Sequence, residues 1–322
     1  MAVSLARATD IADTVLFPAA PAVDTEGRIP PSHLDLLAGN GFYAMSAPSA
    51  DIDFATACAI AETLASGCLS TAFVWLQHQG VVRRVADSPL ADDLLGDLCL
   101  GKQRGGVALG GTLPGPPRLR ATAVPGGYQL SGESPWVTGW GMIDLLLVMA
   151  RDEHDNLVSA IITARENDAL RVSAPLTMIA TTASSTVTAH FTDFFVPAEA
   201  VVGEQPYAEW AERDAAGLRF NGSLALGVTN RCTRLLGATP LDAELDACRT
   251  HLDTAGPADL PAARAAADEL AVRASSALLV HAGSRSILLG EHPQRLAREA
   301  LFLLVFASRK PIRDALLATL IR

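Results

Sequence analysis

The spacing of apolar residues divides the chain into three regions. In residues 1–103, apolar positions recur every three or four residues, as in "DFATACAIAETLASG" and "STAFVWLQHQGVVRRVA", which is the period of a helix with one buried face. Gly, Pro, Asn or Ser separates these segments. The pattern predicts an N-terminal helical domain.

Residues 104–203 have a different pattern. Segments such as "YQLSGESPWVTG", "NLVSAIITARE" and "STVTAHFTDFFVP" are short and rich in β-branched residues, which favours a small antiparallel β-domain, a barrel or sandwich. Helical spacing returns over 204–322 and predicts a C-terminal helical bundle. The predicted fold is α+β, and because no GxGxxG or GxxxxGK[ST] motif follows a strand, a doubly wound nucleotide-binding domain is excluded.

Composition adds an expectation about assembly and excludes some partners. Hydrophobic residues make up 49% of the chain and mean hydropathy is +0.26, so we expect apolar surface to be buried between subunits of an oligomer. The 25 basic and 35 acidic residues give a net charge of −10, and only Lys102 and Lys310 are lysines. This charge argues against binding nucleic acid or an anionic membrane.

The cysteines and the N-terminal segment indicate a location. The five cysteines form no CxxC pair and have no metal-ligand spacing to histidine, so we expect buried thiols in a reducing compartment and no metal site. Arg7, Asp10 and Asp13 interrupt the first apolar segment, and no apolar run approaches the roughly 20 residues that span a bilayer. We therefore expect a cytoplasmic protein without membrane insertion.

A candidate ligand-binding face lies in "GESPWVTGWG". Trp136 and Thr138 are two residues apart, a spacing that places side chains on one face of a strand. An indole and a hydroxyl on one face suit a flat ligand with a polar edge. Taken alone, a strand tryptophan is more often a core residue, and Thr138 a turn hydroxyl.

Four segments in order give a more specific indication. Residues 126–151, "GGYQLSGESPWVTGWGMIDLLLVMAR", resemble the Tyr-x-x-x-Gly and Trp-(Ile/Val)-(Thr/Ser) pattern of acyl-CoA dehydrogenase-like flavoproteins. "STAFVWLQHQG", "FTDFFVPAEAVVGE" and "VHAGSRSILLGEHPQRLAREA" are similar to other segments of that family. The resemblance covers nearly the whole chain and implies the family fold, an FAD cofactor and an acyl-CoA or related substrate.

The same resemblance implies a cofactor site. Trp136 would pack against the flavin ring system, and Thr138 with the adjacent backbone would bind the N5 edge. Gly111 and Thr112 stand where the family has a Gly-Ser pair, the small residue allowing a phosphate to approach and the hydroxyl binding it. Leu109 and Val137 complete the predicted set.

The catalytic base of the family is missing from its usual positions. Family dehydrogenases remove the α-proton of an acyl thioester with a glutamate while a hydride leaves the β-carbon for flavin N5. That glutamate lies nine residues after the arginine that matches Arg298, a count that reaches Ala307. The position used by other members corresponds to Gly217 and Leu218. Three acidic residues are candidates by location only, and none is preferred: Glu212, Asp214 and Glu299.

Other departures leave three functions open. The family's Thr-Glu-Pro is absent, "RCTRLLGATPLDAELD" replaces the motif that contacts a neighbouring subunit's flavin nucleotide, and the C-terminal bundle is shorter than usual. The first function is an FAD-dependent oxidoreductase acting on an acyl thioester, with a non-standard base or one supplied by a partner. The second is a reduced-flavin monooxygenase. The third is a non-catalytic subunit paired with a paralogous active one.

Histidines and a basic cluster complete the candidates. His78 and His281 lie in apolar helical segments and are expected to be core or interface residues rather than bases. The arginines of the last helices are expected on an exposed face paired with Glu291, Glu299 and Asp314, although a phosphate site is the alternative. These arginines are Arg295, Arg298, Arg309 and Arg313.

Overall fold

Six helices form the N-terminal region in the computed structural model, which describes residues 3–213 and 215–321. They are α1 (Leu5–Ile11), α2 (Phe17–Glu26), α3 (Pro31–Gly39), α4 (Phe54–Gly67), α5 (Leu69–Ala86) and α6 (Ala91–Cys99). A π-helical segment, Ala12–Leu16, joins α1 to α2 without a break. Asp53 caps α4 by accepting a hydrogen bond from the Thr56 amide at 2.7 Å, as a helix start requires.

Helix α5 is the central helix of this region. Its residues are buried on nearly every side, which is expected for a helix whose apolar residues surround its axis. The Trp75 indole Nε1 donates to the Phe42 carbonyl at 3.0 Å, so its polar atom is satisfied inside the core. The helix therefore holds a fixed position from which other side chains reach the β-domain.

A sheet of eight strands follows. The strands are β1 (Gly105–Ala108), β2 (Leu119–Val124), β3 (Gly127–Val137), β4 (Leu145–Arg151), β5 (Asn156–Thr163), β6 (Leu170–Val172), β7 (Val187–Pro197) and β8 (Val201–Pro206). The main path runs β6-β7-β3-β2-β4-β5-β8, and β1 pairs with β4. Pairing is antiparallel except for β1 with β4 and a single β2–β4 pair, which are parallel.

Strand β3 contains an irregularity that shapes the site. Ser134 pairs with Ala189 and Val137 with Val187, so three steps on β3 oppose two on β7. This extra residue is a β-bulge. Trp136 lies in it with a φ of 64°, a left-handed conformation that is rare for a bulky residue. At the bulge, the side chains of β3 no longer alternate regularly between the two faces of the sheet.

The C-terminal region is a helical bundle. Its helices are α7 (Tyr207–Arg213), α8 (Ala215–Leu236), α9 (Pro240–Thr254), α10 (Leu260–Ala282), α11 (His292–Leu303) and α12 (Lys310–Leu320). The order of helices, sheet and helices confirms the predicted α+β fold class, and strand β8 extends to residue 206, beyond the predicted boundary at 203. Among the described residues, no helix is both long and apolar enough to cross a bilayer.

Candidate functional site

A pocket of about 590 Å³ opens where the three regions meet. Helix α5, the β-domain and the C-terminal bundle each contribute to its wall, a location typical of ligand sites. The wall consists of Phe73, Gln77, Val107, Leu109, Thr112, Leu113, Pro135, Trp136, Thr138, Met178, Ile179, Thr186, Asn221, Phe302, Val305, Phe306, Ala307, Ser308 and Arg309. Five residues that the sequence analysis singled out therefore line one cavity: Leu109, Thr112, Trp136, Thr138 and Ala307.

Trp136 and Thr138 both line the pocket, but not for the predicted reason. Trp136 is 63% exposed, whereas Thr138 is buried beyond the end of β3. The bulge breaks the strand alternation between them, so simple two-residue spacing does not relate their side chains. The left-handed backbone at Trp136 instead leaves the indole exposed at the cavity wall.

A chain of hydroxyl groups supports Thr138. Its Oγ1 lies 3.2 Å from Thr186 Oγ1, which lies 2.8 Å from Ser184 Oγ. The Gly139 amide also donates to the Ser184 carbonyl at 2.8 Å. The turn after β3 and the loop before β7 are therefore locked together, and each hydroxyl has a partner when no ligand is bound.

Two predicted residues lie outside the pocket wall. A Cβ atom on Gly111 would meet the Ala150 backbone at 2.7 Å, so glycine is required there for packing against β4. The Val137 side chain is fully buried in the β-domain core. Their Cβ positions therefore face the packed sheet, and a contact of either residue with a cofactor stays a prediction.

Aromatic side chains form the opposite wall. The Phe73 ring lies 5.5 Å from Phe302 and 5.0 Å from Phe306, edge to face in both cases. Phe302 and Phe306 stack on each other at 5.7 Å. These spacings are favourable for aromatic pairs, so the wall is apolar and well packed. It suits a hydrophobic group of a ligand.

The polar part of the wall carries no acid. Among the residues that the structure describes, no aspartate or glutamate lines the cavity, and Arg309 is its charged member. Ser308 Oγ is buried without a hydrogen-bond partner, and a buried hydroxyl in that state favours a ligand or water beside it. The described wall offers hydrogen-bond donors but no carboxylate that takes a proton.

Comparison with known proteins identifies the relatives. No family model matches the sequence. A mitochondrial short-chain specific acyl-CoA dehydrogenase from Bos taurus is 25% identical over 210 residues, 61% of this chain and 51% of that protein. A 3-sulfinopropanoyl-CoA desulfinase from Variovorax paradoxus is 24% identical over 177 residues, 51% of this chain and 44% of that protein. The chain spans about half the length of these curated relatives.

Solved structures extend the likeness over nearly the whole chain. A glutaryl-coenzyme A dehydrogenase in complex with glutaryl-CoA has a TM-score of 0.86 at 16% identity, covering 98% of this chain and 94% of that one. A structure of PigA with FAD and proline has a TM-score of 0.83 at 16% identity, covering 98% and 96%. These likenesses show that the chain has the fold of the acyl-CoA dehydrogenases.

Ala307 is the position at which the resemblance leads one to expect a glutamate. Ala307 lines the cavity in the turn between α11 and α12, with a φ of 48°. Gly217 and Leu218 do not line the cavity. On the same helix α8, Asn221 reaches the cavity instead.

The two acidic candidates that the structure describes, Glu212 and Glu299, do not line the pocket. Glu212 is exposed on α7. Glu299 is buried on α11 and accepts from Arg295 Nη1 at 2.6 Å; burial raises the pKa of its carboxyl. Asp214 lies outside the described residues. The identity of any base in this protein stays a prediction.

The structure corrects the expectation of one exposed arginine face. Arg295 is 1% exposed and pairs with Glu299 inside the bundle. Arg298 pairs with Asp24 of α2 and donates to the Ile179 carbonyl at 2.9 Å. Arg309 lines the cavity and donates to the Ala307 carbonyl at 3.4 Å. Arg313 is exposed on α12, so the four arginines do not share one face.

The histidines differ from each other. His78 is buried, and its Nδ1 accepts from the Gly105 amide at 2.9 Å; burial lowers its pKa to about 4. His281 is exposed at the end of α10, so it is not a core residue of this subunit, and the expected interface position stays a prediction. Helix α10 presents that side to the surface.

Thiols and metal ligands give no further site. The cysteines are free, buried at three positions and half-buried at two: Cys58, Cys68, Cys232, Cys99 and Cys248. Burial raises the pKa of Cys58 to about 11 and of Cys232 to about 12. Within residues 3–213 and 215–321, no group of three or more His, Cys, Asp or Glu side chains is arranged to hold a metal ion.

Sequence reasoning missed several wall residues. Gln77 and Phe73 occur in "STAFVWLQHQG", four residues apart on one helix face, and that spacing was a usable signal. Asn221, Met178 and Thr186 had no such signal, because they reach the cavity only through the packing of α8 and of the loop before β7 on the β-domain.

Proposed function

We propose that this chain binds FAD in the pocket and acts as an acyl-CoA dehydrogenase-type oxidoreductase on an acyl thioester, with a base from outside the described pocket wall. The observation that supports this most is the composition of that wall. It joins Trp136, Thr138 and Thr112 on one side to an aromatic face on the other. A cofactor and an apolar substrate group would both find walls there.

The described residues fit a flavin by their chemistry. A buried polar ring edge needs fixed donors or acceptors, because one left unpaired costs about 1–3 kcal/mol. Thr138, Thr112 and the unpartnered Ser308 hydroxyl supply them. When bound, FAD supplies a two-electron acceptor. The neighbours described as PigA with FAD and as a glutaryl-CoA complex support the proposed ligand classes.

One observation favours two alternatives: no carboxylate lines the described wall. The first alternative is a non-catalytic subunit that completes a heteromeric dehydrogenase. The second is a reduced-flavin monooxygenase, which needs no α-proton base. In the non-catalytic case the chain would hold cofactor or substrate walls while a paralogous subunit supplies the base. The monooxygenase keeps the flavin and changes the reaction, whereas the non-catalytic subunit depends on its partner for activity.

Spectroscopy of the purified protein tests these proposals. A flavin absorption band that bleaches anaerobically when an acyl-CoA is added supports the dehydrogenase. Bleaching only with NADH and a flavin reductase, followed by oxygen consumption, supports the monooxygenase. Colourless protein that gains flavin and activity only when co-expressed with a paralogue supports the non-catalytic subunit. Protein that takes up no flavin under any of these conditions contradicts all three.

A further inference from the structure

Arg151, at the end of β4, is buried and holds one loop of the pocket. We call residues 109–115 the pocket loop. The Arg151 guanidinium donates from Nε to the Gly111 carbonyl at 2.9 Å, from Nη2 to Leu113 at 2.8 Å and from Nη1 to Gly115 at 3.3 Å. One side chain thus satisfies three backbone acceptors of the same loop, which the planar, five-donor guanidinium is suited to do.

The sequence of the pocket loop explains why it needs this arginine. The segment "LPGPP", residues 113–117, begins inside the pocket loop and extends past its end. Three of its five residues are prolines, which have no N–H. A proline follows both Leu113 and Gly115. Such a segment has few donors with which to pair its own carbonyls. The loop's turn bond, from the Thr112 amide to the Leu109 carbonyl, measures 3.1 Å.

Arg151 is itself fixed by the protein around it. Its side chain is 5% exposed, and Nη1 also lies 3.2 Å from Asp155 Oδ1. The guanidinium carbon stands 3.7 Å from the centre of the Tyr207 ring, a close cation–π contact. The adjacent Ala150 backbone packs directly on Gly111. The pocket loop is therefore docked on a rigid strand end.

The consequence reaches the cavity. Leu109, Thr112 and Leu113 of the pocket loop line it, whereas Arg151 does not. We infer that Arg151 is a positioning residue for the cofactor: it acts through the pocket loop and sets where Thr112 and Leu109 stand. This inference rests on the proposed function, because it assigns the loop to an FAD site. A shift of about 1 Å in such groups is enough to weaken binding.

The test compares Arg151→Met and Arg151→Lys with a matched control, Arg231→Met. Arg231 is equally buried, donates to the Ser66 carbonyl at 2.8 Å, pairs with Asp13 and lies over Phe17. It does not line the cavity. For each protein we would measure amide hydrogen exchange in the 109–119 segment, the dissociation constant of FAD, and the free energy of unfolding.

In Arg151→Met, the amide hydrogens of the 109–119 segment are expected to exchange faster. The variant is also expected to bind FAD more weakly, by about tenfold or more. Arg151→Lys, which keeps the charge but offers one donor atom, is expected to lie in between. Arg231→Met is expected to lose stability while keeping its FAD affinity within about twofold. A merely structural role for Arg151 predicts the Arg231→Met result for both residues.

Three outcomes overturn the inference. Unchanged exchange in the 109–119 segment of Arg151→Met removes the docking role, and faster exchange with unchanged FAD affinity removes the cofactor role. If wild-type protein binds no FAD, both the proposed function and this inference fail. If wild-type protein binds FAD and Arg151→Met binds it equally well, only this inference fails. If Arg151→Met does not fold, Arg151→Lys carries the same comparison.

Discussion

Trp136 combines backbone strain with a side chain that packs poorly in its own subunit. Its φ of 64° is unusual for a bulky residue, and the side chain is 63% exposed. A non-glycine residue in this conformation costs about 1–3 kcal/mol, and such strain often occurs at functional sites. The indole contributes little burial to offset that cost. We propose that a ligand packs on this exposed indole.

We expect Trp136→Gly to bind FAD at least about tenfold more weakly while its free energy of unfolding stays equal or rises by about 1 kcal/mol. Glycine relieves the strain and removes the indole. Trp136→Ala is the control, because it removes the indole and keeps the strain. Urea denaturation and FAD titration measure both effects. Normal FAD affinity in both variants would contradict a role for the indole.

His78 gives the protein a predicted pH dependence. Its Nδ1 accepts the Gly105 amide, so the folded protein favours the neutral ring, and burial lowers its pKa to about 4. In the unfolded chain the pKa is near 6.5. Between these values the unfolded state binds more protons than the folded state. The free energy of unfolding therefore rises with pH from about 4 to 6.5, and the contribution of His78 is constant above that range.

The slope from His78 should approach about 1.4 kcal/mol per pH unit within that window. His78→Asn keeps an acceptor for the Gly105 amide and cannot titrate. It is expected to be less stable at neutral pH, because it is smaller, but to show a weaker decline below pH 6.5. Urea denaturation at several pH values measures this. An equal slope in the variant would assign the acid sensitivity to other groups.

The turn between α11 and α12 brings Ala307, the predicted position of the base, to the cavity. Ala307 lines the pocket with a positive φ, so replacing it with another non-glycine residue adds no new backbone strain. Ala307→Glu is expected to raise the rate of acyl-CoA-dependent flavin bleaching by about 10²–10⁴-fold, the usual contribution of a general base. Anaerobic stopped-flow absorption measures the rate.

The matched variant Ala307→Gln has nearly the same size and cannot accept the proton. Bleaching that rises in the glutamate variant alone indicates that the cavity lacks only a carboxylate. If wild-type protein already bleaches rapidly and Ala307→Glu slows it, a base from elsewhere is active and the new side chain obstructs it.

Helix α11 is held by a buried ion pair. Arg295 and Glu299 are 1% and 4% exposed, with 2.6 Å between Nη1 and Oε1. Removing one charge leaves the other buried without a partner, which costs about 3–5 kcal/mol. We therefore expect Glu299→Ala to lose about that much stability in urea denaturation. The double variant Arg295→Met with Glu299→Leu should recover most of it, and a double variant as unstable as the single one would contradict this account.

At the scale of the molecule, the bundle exposes many large apolar side chains. They occur on α10, the turn after it, α11, the turn that follows it, α12 and the residue after α12: Val280, Ile287, Leu288, Leu289, Leu301, Val305, Leu317, Leu320 and Ile321. A surface of this kind is unusual for a monomer. Together with the high hydropathy of the chain, it supports the proposal of an oligomer.

We expect Leu289→Asp to lower the subunit count measured by sedimentation velocity, because it places a charge among these apolar side chains. Leu289 is 69% exposed, so the substitution leaves the folded subunit intact. Phe195→Asp, at a 52% exposed apolar position on β7, is the control and should not change assembly. A monomeric wild-type protein would contradict the proposal.

The fold was predictable from the sequence to a greater extent than the site. Helices such as α5 and α10 can be predicted from their own sequences, because the apolar residues of a buried helix face recur every three to four residues. The exposed end of α10 at His281 was not predictable, since its apolar neighbours give the same pattern whether a helix is covered or not. Only tertiary packing decides that.

The site depended on two features that local patterns do not show. A bulge in β3 interrupts the strand alternation, so Trp136 and Thr138 line one cavity although simple strand spacing does not account for it. The sheet packs against Gly111, a constraint that the sequence did not reveal. Close backbone approach and loss of strand register both arise from three-dimensional packing and leave little trace in a short sequence window.

The pocket is walled by side chains from all three regions of the chain. A molecule that fills it therefore bridges parts of the protein that must separate on unfolding, and at about 100 times its dissociation constant it would add roughly 2.7 kcal/mol of stability. A rise in melting temperature would report any such occupant, whatever reaction follows. Thermal screening of thioesters, flavins and their fragments, singly and in pairs, would consequently rank natural ligands before an assay for turnover exists.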